Sequence, residues 1–596
     1  MSTTPEGVQE AAAAKRGAFS SRQVFIFAAI GSAVGLGNIW RFPYVAYDNG
    51  GGAFVIPYIV ALLTAGIPFL FLDYALGHRY RGSAPLSFAR LRRGTEGLGW
   101  WQVGICFMIA IYYAAVMAWA VRYTIFSVTK AWGDDPEGFF FGEFLQAGDP
   151  GIDATPVWGV LIPLLLVWVA ILAVMLLGVQ KGVGATSAIF IPILVVAFAI
   201  LVVRSLFLPG AAEGLDALFT PNWGALTDAT VWAAAYGQIF FSLSIGFGIM
   251  ITYSSYVGRR TDMTGSGLVV GFANSSFELL AGIGVFAALG FMAQASGVAV
   301  DEVVGQGVGL AFVAFPAIIS EAPAGALIGV LFFGSLVLAG FTSLVSVIEV
   351  VISAVRDKFE VTRTTATVAV TVPMAVLSLV FFATTSGIYV LDIIDHFINQ
   401  YGILLVAVVS ILVVAWGVRA LGELAEHHDK TGSLTLGWTW IALMSVVSPV
   451  ALVYILVDGL RTELDTAYGG YPQWMLNTLG WGSAVAVISM LIMSWGLRVL
   501  PTFSDHLSDG SSIVVGAWWR ILVSIIAPIG LVLVLGLSFW EDLKTPYGGY
   551  PGWMLAVFGW GAAGAVIVFG FLAARARWRD PEALSSVHFN EKGARS

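Results

Sequence analysis

Within its first long apolar run the chain reads Gly31-Ser-Ala-Val-Gly-Leu-Gly-Asn-Ile-Trp-Arg-Phe-Pro43. Three glycines, an asparagine and an arginine make a poor uninterrupted helix. In hydrocarbon every backbone N–H and C=O needs a partner, so irregular backbone is tolerated only where it faces protein or a polar cavity. The break therefore points to a site. Gly31 and Gly35 also fit a small-xxx-small helix interface, so close packing is the competing explanation.

Composition sets the class. Of 596 residues 58% are hydrophobic and 11% charged, against roughly 25% charged in soluble proteins. That is a polytopic membrane protein, and its 69 glycines and 21 tryptophans fit closely packed helices with aromatic rings at the two interfaces. The single cysteine, Cys106, rules out an intrachain disulfide and a cysteine metal site. A formal charge of −8 speaks against nucleic acid as a partner. Residues 1–20 are alanine-rich and polar with no apolar core, so no cleavable leader is expected and the amino terminus is expected in the cytoplasm.

Runs of about 20 apolar residues, the length that crosses a bilayer, recur fourteen times. They fall near 23–48, 53–77, 99–128, 157–178, 185–207, 229–256, 266–293, 325–355, 364–384, 396–418, 436–458, 474–497, 515–538 and 553–575. Arg79, Arg81, Arg90, Lys181, Arg259, Arg356 and Arg363 lie in gaps that alternate to one side, which the positive-inside rule makes cytoplasmic. An even count then puts both termini inside. The expected organisation is a cytoplasmic segment at 1–20, a ten-span core at 21–420, spans 11–12 at 421–500, a duplicated hairpin at 501–578 and a tail at 579–596. The duplication is direct: Tyr468-Gly-Gly-Tyr-Pro472, Trp474-Met-Leu476 and Gly480-Trp-Gly482 recur 79 residues on, from Tyr547 to Gly561. Neither copy carries an intramembrane charge, so both are expected to be peripheral scaffold, facing lipid or an oligomer interface.

The sixth span holds a second interruption, Gln238-Ile-Phe-Phe-Ser-Leu-Ser-Ile-Gly-Phe-Gly248. Two broken spans, five apart, are the pointer to an inverted five-plus-five repeat whose half-helices meet at the bilayer midplane. Span 8 adds Ala339-Gly-Phe-Thr-Ser343, and span 7 puts Asn274 and Glu278 one turn apart on one face. Hydroxyls can bond back to their own helix, so Thr342 and Ser343 stay open between structure and site. An intramembrane carboxylate costs several kcal/mol unless paired or protonated, which makes Glu278 a functional candidate.

These motifs, together with Asn49-Gly-Gly-Gly-Ala-Phe54, Ile56-Pro-Tyr58 and Ile111-Tyr-Tyr113, resemble those of the neurotransmitter:sodium symporters, in particular the prokaryotic leucine-transporter type, over roughly residues 15 to 420. That type is itself the worked example of the architecture. The resemblance implies an all-α fold with broken helices 1 and 6, no enzyme activity, and sodium-coupled import of a neutral, hydrophobic amino acid by alternating access. It implies about two sodium ions and no organic cofactor. One ion would meet the carbonyls of Gly31, Val34 and Ala339 and the hydroxyls of Thr342 and Ser343. The other would meet the Ala33 carbonyl, Asn38, Ser242 and Asn274, together with the substrate carboxylate. Close relatives carry threonine where this chain has Ser242.

By the same resemblance the substrate would contact Ser32, Ala33, Leu36, Gly37, Ile109, Tyr113, Phe241, Ser242, Ser244, Phe247, Ser343, Ser346 and Val347. Monoamine carriers keep an aspartate at the position of Gly35, so an amino acid bringing its own carboxylate is favoured over an amine. Arg41 with Asp395 would form an outer gate, and Arg16 with Asp357, beside Tyr256, an inner one. Phe19 replaces the usual tryptophan of the inner motif. Chloride-dependent relatives have serine at the position of Glu278, so transport is expected to be chloride-independent, with protonation of Glu278 on the return step a route to proton antiport. A channel or an amino-acid sensor on the same fold is the alternative. The six histidines map to helix ends or loops without an HExxH pair, and His427-His428-Asp429 reads as a solvated cytoplasmic loop rather than a metal site. The bilayer of the cell membrane, sodium and the amino acid are the expected partners. A homodimer stays open.

Overall fold

The computed structural model describes residues 18–148, 153–303, 307–398, 403–447 and 547–575. Among them there is no strand, only isolated bridges at Gly51–Pro221 and Pro156–Thr384. The helices that position the site are α1 (Arg22–Ala33), α2 (Leu36–Asp48), α3 (Gly52–Tyr80), α4 (Arg93–Thr129), α5 (Trp158–Leu176), α6 (Val179–Leu206), α7 (Ala229–Ser242), α8 (Ile249–Ser254), α9 (Met263–Ser296), α10 (Leu310–Glu321), α11 (Gly325–Phe359), α12 (Arg363–Phe382) and α13 (Gly387–Phe397). Eight helices among the described residues are long and apolar enough to cross a membrane, or ten when each bent pair is one span. The expected fourteen extend beyond the residues counted. The runs at 474–497 and 515–538 and the part of 436–458 from 448 onward lie outside the described residues, as does the first repeat copy, and 229–256 is divided between two short helices.

Capping fixes several starts. Ser21 Oγ accepts the Val24 N–H at 3.3 Å before α1, and Asp262 Oδ1 accepts the Gly265 N–H at 2.9 Å before α9. Inside the spans apolarity is nearly uniform, so burial separates core from rim. In α4, 83% of the most apolar window is buried; in α6 only 33% is, leaving the rest to face lipid. α4 and α11 pack against each other along the centre, and α3 reaches α8 through Gly77, where a Cβ would overlap the Ile251 carbonyl.

Both sequence interruptions are breaks. Val34 is extended at φ −75°, ψ 96°, and the axes of α1 and α2 differ by 53°. Between α7 and α8 the chain leaves helix from 243 to 248, with Gly246 and Gly248 at φ 78° and 77° and Ser244 at φ 52°. A non-glycine residue there carries strain. The Ser244 hydroxyl offsets it by donating to the Ser32 carbonyl at 3.0 Å, which ties one break to the other.

The non-spanning helix α10 is absent from the sequence expectation. Phe312 within it stacks on Phe140, with ring centres 5.3 Å apart, in an aromatic cluster with Trp119 and Tyr123. The described copy of the repeat lies on the rim of the bundle, with 35% of its apolar window buried. Its helix α14 (Gly561–Arg575) packs on α4, where Trp100 and Phe569 meet edge to face at 6.1 Å.

Candidate functional site

Span 8 meets the first break through Ser343. Its hydroxyl lies 3.2 Å from the Gly31 carbonyl, 3.3 Å from that of Ser32 and 3.5 Å from that of Val34. One residue earlier the Thr342 hydroxyl donates to the Ala339 carbonyl at 3.0 Å and the Leu338 carbonyl at 3.2 Å. Gly31 lies so close that a Cβ there would stand 3.1 Å from Thr342 Cβ. All five groups expected at the first sodium are thus neighbours, buried and neutral, and all are oxygens. Hard cations favour such a donor set.

The second expected group is a chain of side chains. The Gly35 N–H donates to Asn38 Oδ1 at 2.8 Å, Asn38 Nδ2 donates to Asn274 Oδ1 at 2.8 Å, and Asn274 Nδ2 donates to Ser242 Oγ at 3.0 Å. It spans both breaks and span 7. One turn along α9, fully buried Glu278 accepts from Tyr58 and from Gln238 Nε2 at 2.6 Å, and Ser242 also reaches it. Ser275 Oγ lies 2.9 Å from the same Tyr58 oxygen.

Between these groups is a cavity of about 380 Å³. Ser32, Ala33, Leu36, Gly37, Ile109, Tyr113, Phe241, Ser242, Ser244, Phe247, Ser343 and Val347 all line it. Ser346 does not: its hydroxyl donates to the Thr342 carbonyl at 2.8 Å and accepts from Tyr253 at 2.7 Å, behind the wall. The Leu36 N–H, at the start of α2, donates to the Tyr113 hydroxyl at 3.2 Å. A helix amino terminus with free N–H groups is suited to a carboxylate.

The cavity runs toward Arg41, whose guanidinium lies 4.6 Å from the Phe241 ring centre, and Asp395 lines the same end. The other end is packed shut. Phe19 lies against Phe25, Tyr253 and Tyr256 at ring distances of 5.9, 5.4 and 6.1 Å, and its N–H donates to the Tyr256 carbonyl at 3.2 Å. Phe19 is thus buried and packed at the position where the resemblance implies a tryptophan plug. Asp357 accepts the Ser83 N–H at 2.9 Å, whereas Arg16 lies outside the described residues.

Sequence reasoning missed a carboxylate beside that plug. Glu349, fully buried, takes Arg363 Nη1 at 2.9 Å and Nη2 at 2.7 Å and the Tyr256 hydroxyl at 2.7 Å. Its signal was the same as that of Glu278, a lone carboxylate in an apolar run. Removing one partner of a buried pair costs about 3–5 kcal/mol. Arg363→Ala is therefore expected to lower the melting temperature by several degrees, and more than Lys430→Ala, whose exposed partner Glu426 lies at 3.2 Å. Thermal unfolding in detergent measures both.

Asp73 was also missed. It is buried in α3 and accepts the Gly246 N–H of the second break at 3.3 Å. The histidine reading needs correction: His427 and His428 are buried, not solvated. His427 Nε2 lies 2.9 Å from His78 Nδ1, and His428 Nε2 lies 2.8 Å from the Phe71 carbonyl. Among the described residues no group of three or more His, Cys, Asp or Glu side chains is placed to hold a metal ion.

The chain matches the sodium:neurotransmitter symporter family over residues 16–135 and 134–501. It belongs to that family. An uncharacterized sodium-dependent transporter of Methanocaldococcus jannaschii is 42% identical over 459 residues, 77% of this chain and 93% of the relative. The sodium- and chloride-dependent GABA transporter 2 of Macaca fascicularis is 30% identical over 83% of this chain and 88% of its own length. Among solved structures, MhsT in complex with L-phenylalanine matches with a TM-score of 0.63 and 31% identity, covering 74% of this chain and 99% of that one. As a sodium:neurotransmitter symporter, this protein is a sodium-dependent membrane transporter of the leucine-transporter fold. Its family is one of transporters rather than enzymes.

Proposed function

We propose that the protein imports a neutral, hydrophobic amino acid together with about two sodium ions, without needing chloride. The observation that carries the substrate class is the crowding at Gly35. A Cβ there would stand 3.1 Å from Ser343 Oγ and 3.2 Å from the Tyr113 hydroxyl, so a side-chain carboxylate would have to displace both hydroxyls, and the chain carries none there. With glycine at this position, the negative charge would arrive with the substrate. Its carboxylate would lie against the start of α2, beside Leu36, Gly37 and Tyr113, and would complete the ring of Ala33, Asn38, Ser242 and Asn274 around one sodium. Each ligand then raises the affinity of the other by the same factor. Apolar Ile109, Phe241, Phe247 and Val347 take the side chain. MhsT, in complex with L-phenylalanine, is consistent with that choice.

The second sodium would use Gly31, Val34, Ala339, Thr342 and Ser343. Arg41, Asp395 and Phe241 would close the extracellular end; Phe19, Tyr256, Asp357 and Arg16 would close the cytoplasmic one. Both termini would lie in the cytoplasm of a plasma-membrane protein, monomeric or dimeric, and the core domain would be 21–420. The domains beyond it, 421–500 and 501–578, would be accessory, and 579–596 a tail.

Two sodium ions crossing about 100 mV supply roughly 4.6 kcal/mol, enough by itself for a gradient on the order of 10³-fold. In proteoliposomes with an inward sodium gradient, leucine or phenylalanine is therefore expected to accumulate above the outside concentration. Equilibration without accumulation would make the protein a channel; sodium-dependent binding without uptake would make it a sensor.

A further inference from the structure

We infer that the second copy of the repeat, Tyr547-Gly-Gly-Tyr-Pro551, is a positioning element of the extracellular gate. The Tyr547 hydroxyl donates to Asp392 Oδ1 at 3.2 Å and the Tyr550 hydroxyl to Asp392 Oδ2 at 2.9 Å. Both oxygens of one carboxylate are thus held by one turn of chain. Asp392 and Asp395 are three residues apart on α13, hence on one face. Tyr550, Asp392 and Asp395 line the same cavity as Arg41 and Tyr113. The turn therefore reaches the mouth of the route, an inference that rests on the cavity being the substrate site.

Three further contacts make it a strap rather than a chance neighbour. Gly548 has φ 62°, and a Cβ there would overlap the Tyr550 ring, so the turn itself sets that ring. The Tyr550 ring meets Tyr389, also on α13, edge to face at 5.8 Å. The helix that follows is anchored elsewhere: Gly570 approaches α4 so closely that a Cβ would stand 3.0 Å from the Trp101 nitrogen. α4 is the most buried of the spanning helices and carries Ile109 and Tyr113. One end of the strap is thus fixed to the central helix, and the other holds the gate helix through two charge-assisted hydrogen bonds. Such bonds are the stronger kind. Any outward swing of α13 must break them or carry the hairpin along.

The test uses full-length protein with a reporter cysteine at Val116, on the cavity wall; the native Cys106 is buried. The double variant Tyr547→Phe/Tyr550→Phe keeps both rings and removes both hydroxyls. It is expected to speed labelling of Val116→Cys by a membrane-impermeant thiol reagent about 10-fold, the scale of one such bond, and to raise KM more than it lowers kcat. Asp392→Asn should move both readouts the same way by less, because one amide oxygen must serve two donors; it carries the test if the double variant melts early. Labelling within about twofold of wild type overturns the strap. So does a raised KM with unchanged labelling, because the hydroxyls would then act on substrate directly. Faster labelling in a protein that shows no sodium-dependent uptake would leave the strap standing and remove the cavity's assignment instead.

Discussion

Thr342→Val is expected to weaken sodium-dependent substrate binding about 30- to 100-fold in apparent sodium affinity and to abolish accumulation at ordinary sodium concentrations. The substitution keeps the shape of a fully buried side chain and exchanges one oxygen for a methyl group. The hydroxyl's partners within the protein are the Leu338 and Ala339 carbonyls of its own helix. Those carbonyls remain in the helical ladder, so the fold loses little. A cation loses one ligand of about five. An interaction of an oxygen with a charged group is worth about 1.5–3 kcal/mol, and the upper part of that range gives the stated factor. Titrating labelled amino-acid binding with sodium, with choline balancing ionic strength, measures it. Ser343→Ala is the informative partner, because Ser343 also bridges span 8 to the carbonyls of Gly31, Ser32 and Val34. It should lower thermal stability as well as sodium affinity, whereas Thr342→Val should lower only the latter. Wild-type sodium dependence in Thr342→Val would remove Thr342 from the ion site.

The two breaks were legible because polar and glycine residues are costly in hydrocarbon and stand out against an apolar background. Gly31–Pro43, Gln238–Gly248, Asn274 and Thr342–Ser343 all carry that signature; the structure brings both breaks and Ser343 to one cavity and joins Asn274 to its wall through Asn38 and Ser242. Ser346 shows the limit of helical periodicity. It and Val347 both lie about one turn from Ser343, but their directions differ by roughly 100°, and Tyr253 takes the hydroxyl of Ser346 away from the cavity. What stayed hidden were partners remote in sequence. Glu349 finds Tyr256 93 residues away, and Lys358, fully buried, finds Glu96 at 2.6 Å from 262 residues away. Each looks like a cytoplasmic charge or an isolated anomaly when read alone. The contact of the repeat with Asp392 was hidden for a related reason: Tyr547–Pro551 carries no charge of its own, and its partner stands more than 150 residues earlier.

If Glu278 stands in for chloride as proposed, Glu278→Ser should make uptake depend on chloride. In the wild type the carboxylate accepts from Tyr58, Gln238 and Ser242, and Ser242 in turn accepts from Asn274 of the expected sodium group. A negative charge is thus built in one turn from that sodium, and replacing chloride by gluconate should leave uptake unchanged. Serine removes both the charge and about half the side-chain volume while leaving the three donors pointed at the vacated space. Buried donors without an acceptor cost about 1–3 kcal/mol each, and a bare sodium beside them lacks its counter-charge. A chloride ion would answer both deficits, so uptake by Glu278→Ser should fall in gluconate and recover about tenfold or more in chloride. Glu278→Gln separates charge from space. It removes the charge but fills the volume, so chloride has nowhere to bind and uptake should be low in both anions. Chloride-stimulated uptake by the wild type would show that Glu278 does not stand in for the anion; equal uptake by Glu278→Ser in both anions would show that no counter-charge is needed there.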